Sequence, residues 1–274
     1  MNHIIFDGSN VLWRAHWVST QYSAGYEYQD VNIFLHMVHN ICTSMGTYNI
    51  HMAWDDHEVN DINPRVQTFS SYKQNRSKDN SPYQHVDLIK QLIVLLGGCH
   101  YRPYRLEGDD VISILCKELA GSKVIVSADQ DLAQLINEST KLYSINKKTT
   151  ITVDNFQSHF PVPVDHYITY KCILGDKSDN IPGVPRYGTK KAASLAKQIY
   201  EGDDRISPDI LNIVNTNRQL MDLTKLVDQQ EVDYIKSQMI NNSPDINTFK
   251  SILNEYKLER SLGLSWLNFF LSLK

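Results

Sequence analysis

Short, unbroken apolar runs alternate along the first half of this chain with stretches whose apolar residues recur every three or four positions. "HIIFD" (3–7), "IHMAWD" (50–55), "CHYRPY" (99–104) and "KVIVSAD" (123–129) are the unbroken runs, and three of them end in aspartate. Val31, Phe34, Leu35, Val38, Cys42 and Met45 mark one amphipathic helix that Gly46 should stop. Val86, Ile89, Leu92, Ile93 and Leu96 mark a second, stopped by Gly97, and Val111, Ile112, Leu115 and Leu119 a third after Gly108. Continuous apolar strands separated by helices predict an α/β fold with a mostly parallel central sheet and helices on both faces.

Such sheets meet their ligands beyond the carboxyl ends of the strands. Asp7, Asp55 and Asp129 fall at that end. "LEGDDVISILCKELAGSKVIVSADQDL" (106–132) adds Glu107, Asp109, Asp110 and Asp131, and "GDKSDN" (175–180) adds Asp176 and Asp179. Each piece alone has an ordinary reading. "EGDD" can cap a helix, "SADQD" can be a strand-to-loop turn, and "GDKSDN" can be a turn. The last is not an EF-hand loop, because Ile181 stands where that loop needs glycine. Together the acids predict a cation among them, since grouped like charges otherwise cost stability. With no His or Cys in these motifs, Mg²⁺ or Mn²⁺ suits the oxygen donors better than zinc.

After about residue 150 the pattern becomes helical, in "VDHYITYKCILG", "GTKKAASLAKQIY" and most of 203–274, with breaks at Pro208 and Pro244. Between the first two of these helices, Gly183 and Gly188 flank a tight turn, Thr189 is placed to cap the next helix, and Lys190 and Lys191 add charge. A helix N-terminus with adjacent lysines suits phosphate. The nucleotide-binding P-loop needs Gly-Lys-Ser/Thr, whereas Gly188 is followed by Thr-Lys. A helix-hairpin-helix clamp on a DNA backbone fits better, with no base specificity. Residues 56–83 form a polar excursion carrying "SSYKQNRSK" (70–78), basic with one aromatic, Tyr72. It is inserted after Asp55, so it starts at the acid rim, and Lys73 and Arg76 are placed to reach a phosphate there.

Charge adjusts this picture. The formal net charge is −4, and setting aside the nine acids leaves −4 + 9 = +5, a mildly basic body around an acidic pocket, as expected of a metal-dependent enzyme acting on a polyanion. No apolar run reaches 18 residues, so no membrane span is expected. "MNHIIFDGSN" lacks the regions of a signal peptide, and four dispersed cysteines without C-x-x-C read as reduced thiols. A cytoplasmic protein is expected.

"FDGSNVLWRA", "AWDD", "YKQNR", "LEGDDVI", "SADQDLAQL" and "GDKSDNIPGVPRYGTKKA", in that order from residue 4 to about 200, resemble the motifs of the structure-specific 5′-nuclease family: flap endonucleases, phage 5′–3′ exonucleases and the 5′-nuclease domain of bacterial DNA polymerase I. The resemblance implies a PIN-like nuclease core over 1–164, with an arch insertion at about 56–84, and a helical region over 165–274. A helix–three-turn–helix DNA clamp at about 165–200 would hold K⁺. It implies a metal site of Asp7, Asp55, Glu107, Asp109, Asp110, Asp129, Asp131, Asp176 and Asp179 for two divalent ions. Glu107, Asp109 and Asp110 would serve mainly the first ion, Asp176 and Asp179 the second, and Asp129 and Asp131 both. "AWDDH" offers Asp55 or Asp56, and strand alternation with the family's usual pattern favours Asp55. Lys73 and Arg76 would lie in the arch as catalytic stabilisers of the scissile phosphate. Arg14, Tyr72, Gly183, Gly188, Lys190 and Lys191 would contact DNA. The implied partners are branched or nicked DNA with a free 5′ end and RNA primers on DNA. The implied protein is a monomeric, free-standing phage enzyme. Two alternatives stand beside it: a non-catalytic structure-specific DNA-binding protein, and a related ribonuclease on the same kind of sheet.

Overall fold

β1 (Asn2–Asp7) is buried from His3 to Asp7, which places it in the middle of the sheet, where a continuous apolar run can be covered on both sides. The structure, a computed structural model, describes residues 2–21, 27–47, 49–56, 62–74 and 81–258. In chain order β1 is followed by α1 (Gly8–Ser19), α2 (Gln29–Met45), β2 (Ile50–Ala53), α3 (Pro64–Thr68), α4 (Val86–Leu95), β3 (Cys99–Tyr101), α5 (Gly108–Glu118), β4 (Ser122–Ser127), β5 (Thr140–Ser144) and β6 (Thr149–Ile151). Then come α6 (Val164–Leu174), a two-stranded hairpin of β7 (Gly175–Asp176) and β8 (Ile181–Pro182), α7 (Thr189–Tyr200), α8 (Pro208–Met221), α9 (Gln229–Ser237) and α10 (Ile246–Glu255).

The main sheet has the order β3-β2-β1-β4-β5-β6. Every neighbouring pair is parallel except β5–β6. Phe6 lies opposite Met52 on one side and Val126 on the other, so the three aspartate-ended strands finish level with one another. The predicted strands and helices are present. The β5–β6 pair is an addition, too short and too interrupted to stand out as a pattern.

Both faces are covered. On one, Val111, Leu115, Ile125, Tyr167, Ile173, Leu195 and Ile235 belong to a single apolar cluster drawn from the sheet and α5 to α9. On the other, Phe6, Val11, Phe34, Leu35, Ile93 and Phe249 join the sheet to α1, α2, α4 and α10. Gly46, at φ +65°, ends α2 in the left-handed conformation that glycine adopts without steric cost. The later helices are tied in by polar bonds as well. Asn217 of α8 donates to the carbonyls of Cys172 and Pro182, and the buried Glu231 of α9 accepts from the backbone N–H groups of Tyr104 and Arg105. Among the described residues, no helix is long and apolar enough to cross a membrane.

Candidate active site

Asp7 ends β1 and caps α1: one carboxylate oxygen accepts from Asn10 N at 3.0 Å and the other from Ser127 Oγ at 2.7 Å. Gly8 follows because a Cβ there would lie 2.9 Å from both Ala53 O and the Trp54 ring. That close crossing brings β2's exit against β1's. Ser9 Oγ accepts from Asp55 N at 2.9 Å, and Asp55 Oδ1 accepts from Gly108 N at 2.9 Å. Asp55 thus joins the starts of α1 and α5. Asp56 instead pairs with Arg102 at 3.6 Å, so of the two residues offered by "AWDDH", Asp55 is the one turned toward the other acids. Burial, then the charge of Asp55, pushes Asp7 up to about 7. Burial, then the charges of Asp129, Asp7 and Asp55, pushes Asp109 well above the usual carboxylate range. These shifts record mutual repulsion in a poorly solvated place.

Glu107, Asp109, Asp129, Asp131, Asp176 and Asp179 line one cleft together with Lys73 and Lys171. Lys73 Nζ donates to Glu107 Oε1 at 2.7 Å and Tyr72 OH to Glu107 Oε2 at 2.8 Å. Burial would raise the pKa of Glu107, but Lys73 and Arg65 outweigh it and hold the carboxyl below its ordinary value. At the other end, Lys171 Nζ lies 2.6 Å from Asp131 Oδ1 and 3.8 Å from Asp176 Oδ2. Burial and the charge of Asp129 still push Asp131 up to about 6. Asp176 is held by Ser178, whose N–H and hydroxyl donate at 2.8 and 2.5 Å. The basic stretch of the polar excursion is stitched to this end: Lys73 N donates to Asp179 O at 3.2 Å, and Asn180 Nδ2 to Ser71 O at 2.8 Å.

Four expectations change. Asp110 does not face the cleft. It is fully buried, and Arg65 grips both its oxygens, at 2.6 and 2.7 Å. Its carboxylate also accepts from Glu107 N at 3.0 Å, closing a capping box on α5. It therefore holds the site in place and is not free to coordinate an ion. Tyr72, expected on DNA, is only 6% exposed and packs in the core with its hydroxyl on Glu107. Gly188 needs no special conformation: its φ is −87° and a Cβ there would meet nothing within 4 Å. Thr189 does not cap α7, whose N-cap is Gly188, without a side-chain hydrogen bond.

Gly183 behaves as expected of a tight turn, since a Cβ there would lie 2.1 Å from Leu174 O. Gly175, unnoticed in the sequence as a constraint, combines φ +70° with a Cβ position 2.4 Å from Gly183 N. These two glycines let the β7–β8 hairpin press against the end of α6. Lys190 and Lys191 are exposed on the first turn of α7. Arg14 reaches from α1 to Asn146 Oδ1 at 2.5 Å. Arg76 lies outside the described residues. Arg65 and Lys171, missed in the sequence, are the two cations the geometry adds; no local pattern marks either one.

Among the described residues, no three His, Cys, Asp or Glu side chains close on one point within metal-bonding reach. Six of the nine acids line the cleft and are spread along it, Glu107 and Asp109 toward one end and Asp176 toward the other. The donor set itself, carboxylate oxygens without His or Cys, suits a hard divalent cation.

Residues 2–161 match the 5′-3′ exonuclease N-terminal resolvase-like domain, and the chain belongs to that family. It is similar to a 5′-3′ exonuclease of Buchnera aphidicola, 29% identical over 80% of this chain and 75% of the relative. It is also similar to the flap endonuclease Xni of Shewanella pealeana, 26% identical over 84% of this chain and 91% of the relative. Both are bacterial proteins. Its fold is that of a bacteriophage T5 flap endonuclease solved as a pseudo-enzyme–product complex with DNA and metal ions, with a TM-score of 0.63 and 17% identity over 94% of this chain and 100% of that one.

Proposed function

We propose that this chain is a divalent-metal-dependent, structure-specific 5′ nuclease that hydrolyses phosphodiester bonds at the 5′ ends of branched or nicked DNA, as flap endonuclease and 5′–3′ exonuclease. The observation that carries this reading is the cleft itself, where six carboxylates delivered by three separate segments face a space bounded by Lys73 and Lys171. A non-catalytic DNA binder would gain affinity by shedding those charges.

Glu107 and Asp109 would hold one Mg²⁺ or Mn²⁺ and Asp176 and Asp179 a second, with Asp129 and Asp131 between them and Asp7 and Asp55 behind. Such a pair of ions supplies an activated water and stabilises charge on the phosphate and leaving oxygen. The protein's own part is positioning. Arg65 and Asp110 fix the start of α5, and with it Glu107 and Asp109. Ser127 and Asn10 fix Asp7. Lys73, at the edge of the cleft, stabilises the scissile phosphate, with Arg76 placed beside it in sequence. Glycine-enforced contact between α6 and the β7–β8 hairpin supports the reading of residues 165–200 as a helix–three-turn–helix clamp, with Lys190 and Lys191 on the duplex backbone and K⁺ as the ion it would hold. Within this reading the nuclease core spans 1–164 and the helical region 165–274. The substrates extend to RNA primers on DNA, and the setting is phage-type DNA replication by a monomer in the cytoplasm.

The test is incubation of the protein with a labelled 5′-flap duplex in Mg²⁺, in Mn²⁺ and in EDTA. Cleavage near the branch with either metal and none in EDTA is the expected result. Binding without cleavage under all three conditions would favour the non-catalytic alternative.

A further inference from the structure

We infer that the outer face of α1 and the β5–β6 turn form a second nucleic-acid contact, which takes an unpaired strand of DNA as it leaves the acid cleft. The inference rests on the nuclease reading for naming DNA as the polyanion; the surface stands on its own geometry.

Arg14 and Trp17 are three residues apart on α1 and so share one face of it. Trp17 is 65% exposed, a large indole presented to solvent with its ring available. Arg14 is bonded to Asn146, which ties this face to the β5–β6 turn, and the next two residues of that turn, Lys147 and Lys148, are exposed. Lys148 sits at φ +50°, in the left-handed region that lysine rarely adopts. Neither α1 nor residues 144–150 contain Asp or Glu. Three cations and one exposed indole therefore gather on two acid-free segments.

Their place matters as much as their chemistry. Asp7 caps α1, so Arg14 lies about 10 Å along the helix from that aspartate, which stands behind the cleft, at 1.5 Å per residue. β5 runs parallel to β4, so its turn lies on the same rim as Asp129. α1 packs on one face of the sheet, while α6 and α7, which carry the hairpin, pack on the other. Nucleic acid held by the hairpin and crossing the acids reaches Arg14, Trp17 and the turn on the far side. The exposed indole selects what arrives there. A base in a duplex has both faces stacked already, whereas an unpaired base can lay one face on an aromatic ring beside basic side chains. Trp13, one turn earlier, is not needed for this, since it shares a hydrogen-bonded network with Tyr83 and Ser9.

The experiment measures polarisation of a fluorescein-labelled oligothymidylate in EDTA, so that binding is read without cleavage. Trp17→Ala should weaken binding about fivefold or more, the low end for loss of one stacked base, and Trp17→Tyr should restore most of it. Lys147→Ala with Lys148→Ala should lower the slope of log affinity against log salt by about 1.4, at roughly 0.7 per phosphate contact on a single strand. Heparin binding, which involves charge without bases, should not change in Trp17→Ala. Unchanged oligothymidylate affinity in Trp17→Ala, or an equal loss toward heparin, would overturn the proposal. Because Mg²⁺ plays no part, an inactive wild-type protein would count against the nuclease reading and leave this measurement intact.

Discussion

Arg65 Nη1 and Nη2 lie 2.6 and 2.7 Å from the two carboxylate oxygens of Asp110, with both side chains about 1% exposed. The same guanidinium donates through Nε to Leu220 O at 2.7 Å. One side chain therefore joins three parts of the chain: α3 at the foot of the polar excursion, the first turn of α5 and the end of α8. Bidentate geometry of this kind suits Arg and not Lys.

Removing one partner of this pair leaves a buried charge without compensation. Arg65→Met is expected to cost about 3–5 kcal/mol of stability, and adding Asp110→Leu should recover much of the loss, since apolar pairs often replace buried ion pairs at little cost. Urea denaturation of both variants checks this. A double variant no more stable than the single one would mean that the cap the carboxylate makes on Glu107 N outweighs the cost of its unpaired charge.

The two hairpin glycines should behave differently. Gly183→Ala drives a methyl into the Leu174 carbonyl and should lower the melting temperature markedly. Gly188→Ala meets open space and should change melting far less, since the loss of a favoured N-cap residue is offset by reduced freedom of the unfolded chain. Thermal melts followed by circular dichroism distinguish the two.

Lys73→Ala should slow the chemical step by about 10²–10³, the range for loss of one preorganised charge stabiliser. DNA binding should change far less, because the same lysine sits on Glu107. Single-turnover cleavage beside a gel-shift titration measures both. A rate within a few-fold of the unmodified enzyme would remove Lys73 from the chemistry.

Buried histidines set one pH limit. His100 accepts from Trp54 Nε1 and donates to Lys90 O, and burial pushes it down to about 4. In the unfolded chain it titrates near 6.5. Between those values the unfolded state binds more protons, so this residue's contribution to stability falls as pH falls. Asp7 and Asp131, raised to about 7 and about 6, act in the opposite sense, losing stability as pH rises toward those values. The comparison is therefore made against His100→Gln. From pH 7 to 4.5 the unmodified protein should lose about 2–3 kcal/mol more than this variant, at 1.36 kcal/mol per pH unit. Equal losses would contradict the assignment.

The rim was legible because two independent patterns coincide on it. Continuous apolar runs specify strand ends, and aspartates stand at three of them. The side chains that organise the rim were not legible. Arg65 falls in a polar stretch and reads as a surface residue. Its burial depends on partners 45 and 155 residues away. Lys171 sits in a helix whose spacing says nothing of Asp131. Tyr72 follows two serines and precedes a basic run, so its neighbours suggest exposure while its own ring belongs to the core. Asp110 shows the same limit from the other direction: beside Asp109 in sequence, it points to the opposite side of the α5 start. Adjacent residues on a helix differ by about 100° in direction, at 3.6 residues per turn, and only the packing decides which one meets the cleft.

The most direct test of the account is Asp129→Asn with Asp131→Asn, measured twice on one labelled 5′-flap duplex: single-turnover cleavage in Mg²⁺, and binding in EDTA. These residues join the two ends of the cleft without belonging to the Arg65–Asp110 lock. Cleavage should be abolished, while binding is retained or tightened because two negative charges leave a surface that faces phosphate. Cleavage at an undiminished rate, or loss of binding with the circular dichroism spectrum intact, would contradict the claim that this cleft is where the phosphodiester bond is cut.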